Sequence, residues 1–280
     1  MGNRFLGLCR ILGFYPFTEA GRYVGSWNLL STLLHLSFGI GTVALTLVTS
    51  GILLEMRELF RKQTFMYGTI SCVRASISTA AVFGTLMNFE FRSGQLEHVA
   101  RHCRSEHPSS KYLNITIWYL FSAASRLVIW IFAIIQMPTN LNILMAGSEF
   151  LLSYLQTFIG IMLLQYIYFI DFIVCRLCET TNLIDRKLVN IYTHAELVEI
   201  MIKINSFYSI PNLGLLGVYF VEVLSRNFYL SRNVMAMNQP VIQLYAIDNI
   251  VALVTALHGI WILTKSSSVG YESVSTNIEQ

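Results

Sequence analysis

Six stretches of predominantly apolar residues recur along this 280-residue chain, at 29–54, 67–87, 113–137, 150–170, 210–229 and 241–264. Each reaches the length of about 20 residues that a helix needs to cross a hydrocarbon core. Composition points the same way. Hydrophobic residues make up 54% of the chain and charged residues 12%, whereas a soluble domain carries about a quarter charged residues. A soluble globule of this size must still solvate its outer surface, and this chain lacks the polar residues to do so. The expectation is an all-α fold: a polytopic membrane bundle of about six transmembrane helices over residues 1–265, with a polar, Ser-rich, disordered tail at 266–280.

The N-terminal residues do not read as a cleaved secretory signal. Arg4 and Arg10 interrupt the apolar run, and no small-residue cleavage site follows. Leu6 stands where a myristoylation site requires Ser or Thr. Orientation follows from the basic residues. With the N-terminus inside, twelve of the nineteen Lys and Arg fall on the cytoplasmic side; five, counting Arg226, fall opposite, and Arg74 and Arg126 lie within helices. The asymmetry places the N-terminus in the cytoplasm. That orientation, and the absence of Asp-Arg-Tyr and Asn-Pro-x-x-Tyr motifs, sets the chain apart from rhodopsin-type receptors. The sequon at Asn114 falls at the cytoplasmic start of the third helix, out of reach of glycosylation. Between the fourth and fifth helices, 175–203 mixes apolar and charged residues at helical spacing. One stripe is Leu183, Ile184, Leu188 and Ile191; another is Leu197, Ile200, Met201 and Ile204. The pattern predicts a helical extension of the fourth helix to about residue 204, packed on protein or lying at the interface.

Motifs for soluble chemistry are missing. There is no Gly-rich phosphate loop, nucleophile elbow or catalytic carboxylate pair, and no basic block suited to nucleic acid. His98 and His102 are four apart and share a helical face, but His35, His194 and His258 stand isolated. A solvated loop helix is the better reading than a metal site. The five cysteines are expected as reduced thiols, with Cys175 and Cys178 a lone CxxC. No enzyme activity, cofactor or metal is expected.

Ionisable residues within the helices carry more information. One charge at the bilayer centre costs on the order of 3 kcal/mol or more unless it finds a partner or water. Arg74, Arg126, Glu222 and Asp248 must therefore face protein or a wet cavity, or in the case of the two arginines snorkel. Arg226 lies four residues after Glu222 and can pair with it along one helix. Trp130, Gln136, Tyr219, Gln243, Tyr245 and Asn249 supply aromatic walls and polar groups of the kind that line small-ligand pockets, or equally an interfacial belt. The candidate ligand-binding residues are Arg126, Trp130, Glu222, Tyr245 and Asp248.

One region has a familiar pattern. Leu197 is followed by Ile204-Asn205, Phe207, Ser209, Pro211 and Leu213, then Tyr219-Phe220-Val221 and Asn227-Phe228-Tyr229. This resembles the fifth-helix region of insect gustatory receptors. Arg10-Ile11-Leu12-Gly13, with Pro16, is similar to the short Leu-Gly-x-x-Pro element before that family's first helix. The likeness runs from residue 5 to about residue 265. It implies a plasma-membrane, multi-pass chemoreceptor: a ligand-gated cation channel subunit in a homo- or hetero-tetramer with related receptor subunits. Such a subunit binds a small-molecule tastant in the outer half of its bundle and serves the sensory perception of taste. The sequence departs from that family after the sixth helix. The family's seventh helix carries Thr-Tyr and Gln-Phe, whereas Thr276-Asn277 leads into no apolar run. The alternatives that follow are a truncated or non-conducting subunit that assembles with full-length partners, or an odorant receptor of the same superfamily.

Overall fold

The computed structural model describes residues 4–12, 15–18, 21–55, 61–102, 110–136, 140–185, 191–234 and 240–278. They form seven helices: α1 (Arg4–Ile11), α2 (Gly25–Glu55), α3 (Arg61–His102), α4 (Ser110–Gln136), α5 (Asn140–Asp185), α6 (Ile191–Val234) and α7 (Pro240–Ile278). Six of them contain segments long and apolar enough to cross a membrane: Gly25–Ser50, Gly68–Gly94, Lys111–Gln136, Ile143–Thr180, Ala195–Ser231 and Gln243–Lys265. The chain is a multi-pass membrane protein with an all-α bundle. Its outer faces suit hydrocarbon. On α2, Leu29, Leu30, Leu33 and Leu34 are all exposed, and on α6 so are Ile210, Leu213, Phe220 and Leu224. Contiguous apolar faces of this kind are not left to water in soluble proteins.

The fifth helix is the axis. It packs against α2, α3, α4, α6 and α7, while neighbours pack α2 on α3, α3 on α6, α6 on α7 and α7 on α4. Of its span 78% is buried, against 28–39% for the other five. Lipid tails are as apolar as Leu, so hydrophobicity does not sort helices between centre and rim; packing shape and polar contacts do. Close approach is visible at two glycines. A Cβ on Gly39 would lie 2.5 Å from Thr79 Cγ2, and one on Gly259 would lie 2.4 Å from Tyr219 Cζ.

Pro211 lies inside α6, where its missing N–H leaves the carbonyl four residues back, on Phe207, without its helical donor. The neighbouring helix supplies one. Asn88 Nδ2 of α3 donates to Phe207 O at 2.8 Å. Arg92 Nη1 donates to Ser206 O at 2.9 Å, from the point where α3 kinks (Arg92 φ −122°, ψ 17°). A break in one helix is thus closed by side chains of the next, as membrane helices require.

The N-terminal end of the bundle is aromatic. Phe5 of α1 packs between Tyr112 and Tyr168, with ring centroids at 5.6 and 5.5 Å, and Arg10 Nε donates to Phe17 O at 2.7 Å. Cys9 is fully buried there, and burial pushes its thiol up to about 12. Tyr23 donates to Glu90 at 2.5 Å; burial, then that carboxylate, push its phenol up.

Two elements differ here from the sequence reading. The extension beyond the fourth span is divided: α5 ends at Asp185 and α6 begins at Ile191, so Leu197, Ile200, Met201 and Ile204 belong to the helix carrying Pro211. Ile200 and Ile204 are fully buried, so this stripe packs on protein. The tail read as disordered is helical to Ile278. Once a long apolar span has nucleated a helix, each further residue adds a hydrogen bond at little cost. Leu188, Cys103, Glu106, His107 and residues 279–280 lie outside the described residues, as do the side chains of Leu183, Ile184, Ile191, His98, His102 and His194.

Candidate functional site

In six antiparallel spans, residues at alternate ends of successive helices meet at one level. Arg74 lies early in α3's span, Arg126 and Trp130 late in α4's, Glu149 early in α5's, Glu222 and Arg226 late in α6's, and Tyr245 and Asp248 early in α7's. All lie at the end of the bundle opposite α1.

There the charges meet. Arg126 Nε donates to Asp248 Oδ1 at 2.7 Å and Arg126 Nη2 to Asp248 Oδ2 at 3.3 Å. The same guanidinium reaches Glu149 at 3.0 Å and Gln156 at 3.1 Å. Arg226 Nε donates to Glu222 at 2.6 Å, one turn back on α6, Nη2 to Glu149 at 2.8 Å and Nη1 to Asn249 Oδ1 at 2.7 Å. Arg226 Nη1 also lies 3.4 Å from Asp248. Arg74 donates to Glu149 and lies 3.6 Å from Glu222, with Tyr229 under its guanidinium at 5.7 Å. Three guanidiniums thus face three carboxylates, and Glu149 touches every arginine. Arg74, Arg126, Arg226, Glu222 and Asp248 are each at most 3% exposed. Such burial is tolerable only because the charges are mutually paired; removing one member leaves a buried charge uncompensated.

Beside the network lies a cavity of about 30 Å³ to which every span contributes: Thr46 of α2, Ser71 of α3, Trp130 of α4, Ser148 of α5, Arg226 of α6 and Tyr245 of α7 all line it. Trp130 and Tyr245 pack with ring centroids 5.0 Å apart. A volume of this size suits one water or one polar group.

The five candidate residues come together. Trp130, Tyr245 and Asp248 line the cavity; Arg126 and Glu222 reach it through ion pairs with Asp248 and Arg226. The i,i+4 pair of Glu222 and Arg226 forms as the spacing predicts. Arg74 and Arg126 are buried in ion pairs rather than snorkelling. Arg226, counted among the opposite-side charges, is inside the bundle, which sharpens the asymmetry to twelve against four. Of the other residues read as pocket candidates, Asn249 joins the site and three do not. Gln136 and Gln243 are exposed, and Tyr219 packs against Gly259 away from the cavity.

Glu149, the centre of the network, is absent from the sequence candidates because the uninterrupted apolar run of the fourth span starts only at Phe150. The helix begins at Asn140 and the span at Ile143, which places Glu149 within it. Excess of arginine over carboxylate in the other spans was the signal that a further acid had to exist. Among the described residues no group of three or more His, Cys, Asp or Glu is placed to hold a metal, and Cys9, Cys72, Cys175 and Cys178 are free thiols.

No family model matches the chain, and neither any curated protein nor any solved structure matches it.

Proposed function

We propose that this chain is a chemoreceptor-like membrane subunit that senses a small molecule at the cavity beside its ion network and gates cations as part of an oligomer at the plasma membrane. The observation that carries the reading is one juxtaposition. A polar cavity with an aromatic pair sits against an ion network that ties together α3, α4, α5, α6 and α7. A molecule that changes how Trp130 and Tyr245 pack acts directly on Asp248, and through it on two arginines in two other helices. Ligand binding then works by differential affinity for two helix arrangements. The gustatory-receptor-like pattern around Pro211 supports the same class, and with it tetrameric assembly with related subunits, a tastant as ligand and a role in taste. The reading needs no cofactor and no enzymatic step.

The test is expression in a receptor-free cell, alone and with related subunits, with current recorded against sugars, bitter compounds and amino acids. Trp130→Phe and Tyr245→Leu keep an apolar side chain at each position while changing the cavity wall. They are expected to shift the dose–response of any active compound about tenfold or more, roughly 1.4 kcal/mol, at unchanged surface expression. Unaltered curves would remove both residues from the site, and absence of current under every subunit combination would remove the channel.

A further inference from the structure

The ion network is rich in donors. Each guanidinium carries five N–H groups and no acceptor, and the mismatch is visible at the cavity. Arg74 Nη1 and Trp130 Nε1 are buried with no hydrogen-bond partner among the described residues, and so is Gln156 Nε2 on the far side of Arg126. The acceptor left over at the network is Glu222 Oε2, which faces Arg74 Nε at 3.6 Å. Arg74 and Trp130, 2% and 5% exposed, both line the cavity of about 30 Å³. Buried donors left unmet are costly, so the space calls for an acceptor.

Charge decides which acceptor. With each carboxylate ionised, three guanidiniums and three carboxylates make a neutral cluster. An anion would satisfy the donors but leave a net charge in a low-dielectric interior; a cation would oppose them outright. A neutral oxygen meets the donors and preserves neutrality. The volume admits one hydroxyl or carbonyl group, and the Trp130–Tyr245 pair offers an aromatic wall to whatever that group is attached to.

Resting on the small-molecule reading of this site, we infer that the cavity takes the carbonyl or hydroxyl oxygen of a small neutral molecule, which accepts hydrogen bonds from Trp130 Nε1 and Arg74 Nη1. Molecules of the same shape that carry a full charge bind more weakly.

The test uses the full chain in detergent with its four tryptophans labelled with ¹⁵N at the indole nitrogen, titrated with benzamide, acetophenone, benzyl alcohol, benzoate and benzylammonium. Trp130→Phe assigns the Trp130 signal. If that variant does not fold, Trp27→Phe, Trp118→Phe and Trp261→Phe, all at exposed positions, assign it by elimination. The neutral compounds are expected to move the Trp130 N–H signal downfield and saturably. Benzoate and benzylammonium should be weaker by about tenfold or more. Benzoate acting at equal or lower concentration would overturn the inference and leave a small-molecule site standing. If no compound moves the Trp130 signal while the other three indoles report a folded protein, the cavity holds water alone and the inference falls. The current recordings decide the receptor reading separately.

Discussion

Glu149 is where the three arginine side chains converge, so the smallest chemical change there has the largest consequence. Glu149→Gln keeps the shape and leaves three guanidiniums facing two carboxylates. It is expected to cost about 3–5 kcal/mol, read as a large fall in melting temperature in detergent. Asp248→Leu alone should cost a similar amount, but much of it should return in the double variant Arg126→Met/Asp248→Leu, because apolar side chains replace a buried pair more cheaply than they replace one half of it. Additive losses would show that the two groups do not pair. At the other end of the bundle, burial raises the Cys9 thiol from its ordinary value near 9 to about 12. Between those values the folded chain holds a proton that the unfolded chain has lost, so stability falls as pH rises through that window, and Cys9→Ala should flatten the fall. At pH 8, maleimide should label the exposed Cys175 and Cys178 and spare Cys9. At this scale the sequence was informative about cost. Arg74, Arg126, Glu222 and Asp248 stood out because charge within an apolar run needs a partner, and the spacing of Glu222 and Arg226 named one pair. It could not assign partners between helices, and a boundary placed at 150, seven residues past the start of the span at Ile143, hid Glu149.

The six spans were legible because length and apolarity alone define them, while their ends were not, since a helix does not stop where the hydrocarbon does. The extension around Ile200 shows the ambiguity: its apolar stripe is the same whether it continues α5 or begins α6, and the division between Asp185 and Ile191 decides it. Helix-to-helix repair was illegible too. Pro211 announces a missing donor, but nothing in the sequence says that Asn88, more than a hundred residues earlier, answers it. Asn88→Leu should destabilise the bundle by about 1–3 kcal/mol, because it strands the Phe207 carbonyl. In a Pro211→Ala background the same change should cost less, since the restored amide at 211 can bond that carbonyl within α6. Equal losses in both backgrounds, measured as shifts in melting temperature, would show that the Asn88 contact has no connection with the proline.

The whole molecule is a central helix ringed by five others, with an aromatic cap at the α1 end and a neutral ion network with a small cavity at the other. The number of passes came from the sequence. The place of α5 at the centre did not, because in lipid an apolar run reads the same whether it faces tails or protein. With six passes, the twelve-to-four distribution of basic residues predicts that the side carrying the N-terminal residues faces the cytoplasm. Glycosylation mapping in microsomes tests this most directly, using single sequons in short inserts. Inserts after residues 57, 138 and 237 should each gain a glycan. Inserts after residues 105 and 188, and the native sequon at Asn114, should stay unmodified, with the chain retained in the membrane after alkaline extraction. A glycan at Asn114, failure at the three outer positions, or release of the chain into the alkaline supernatant would contradict the six-pass bundle.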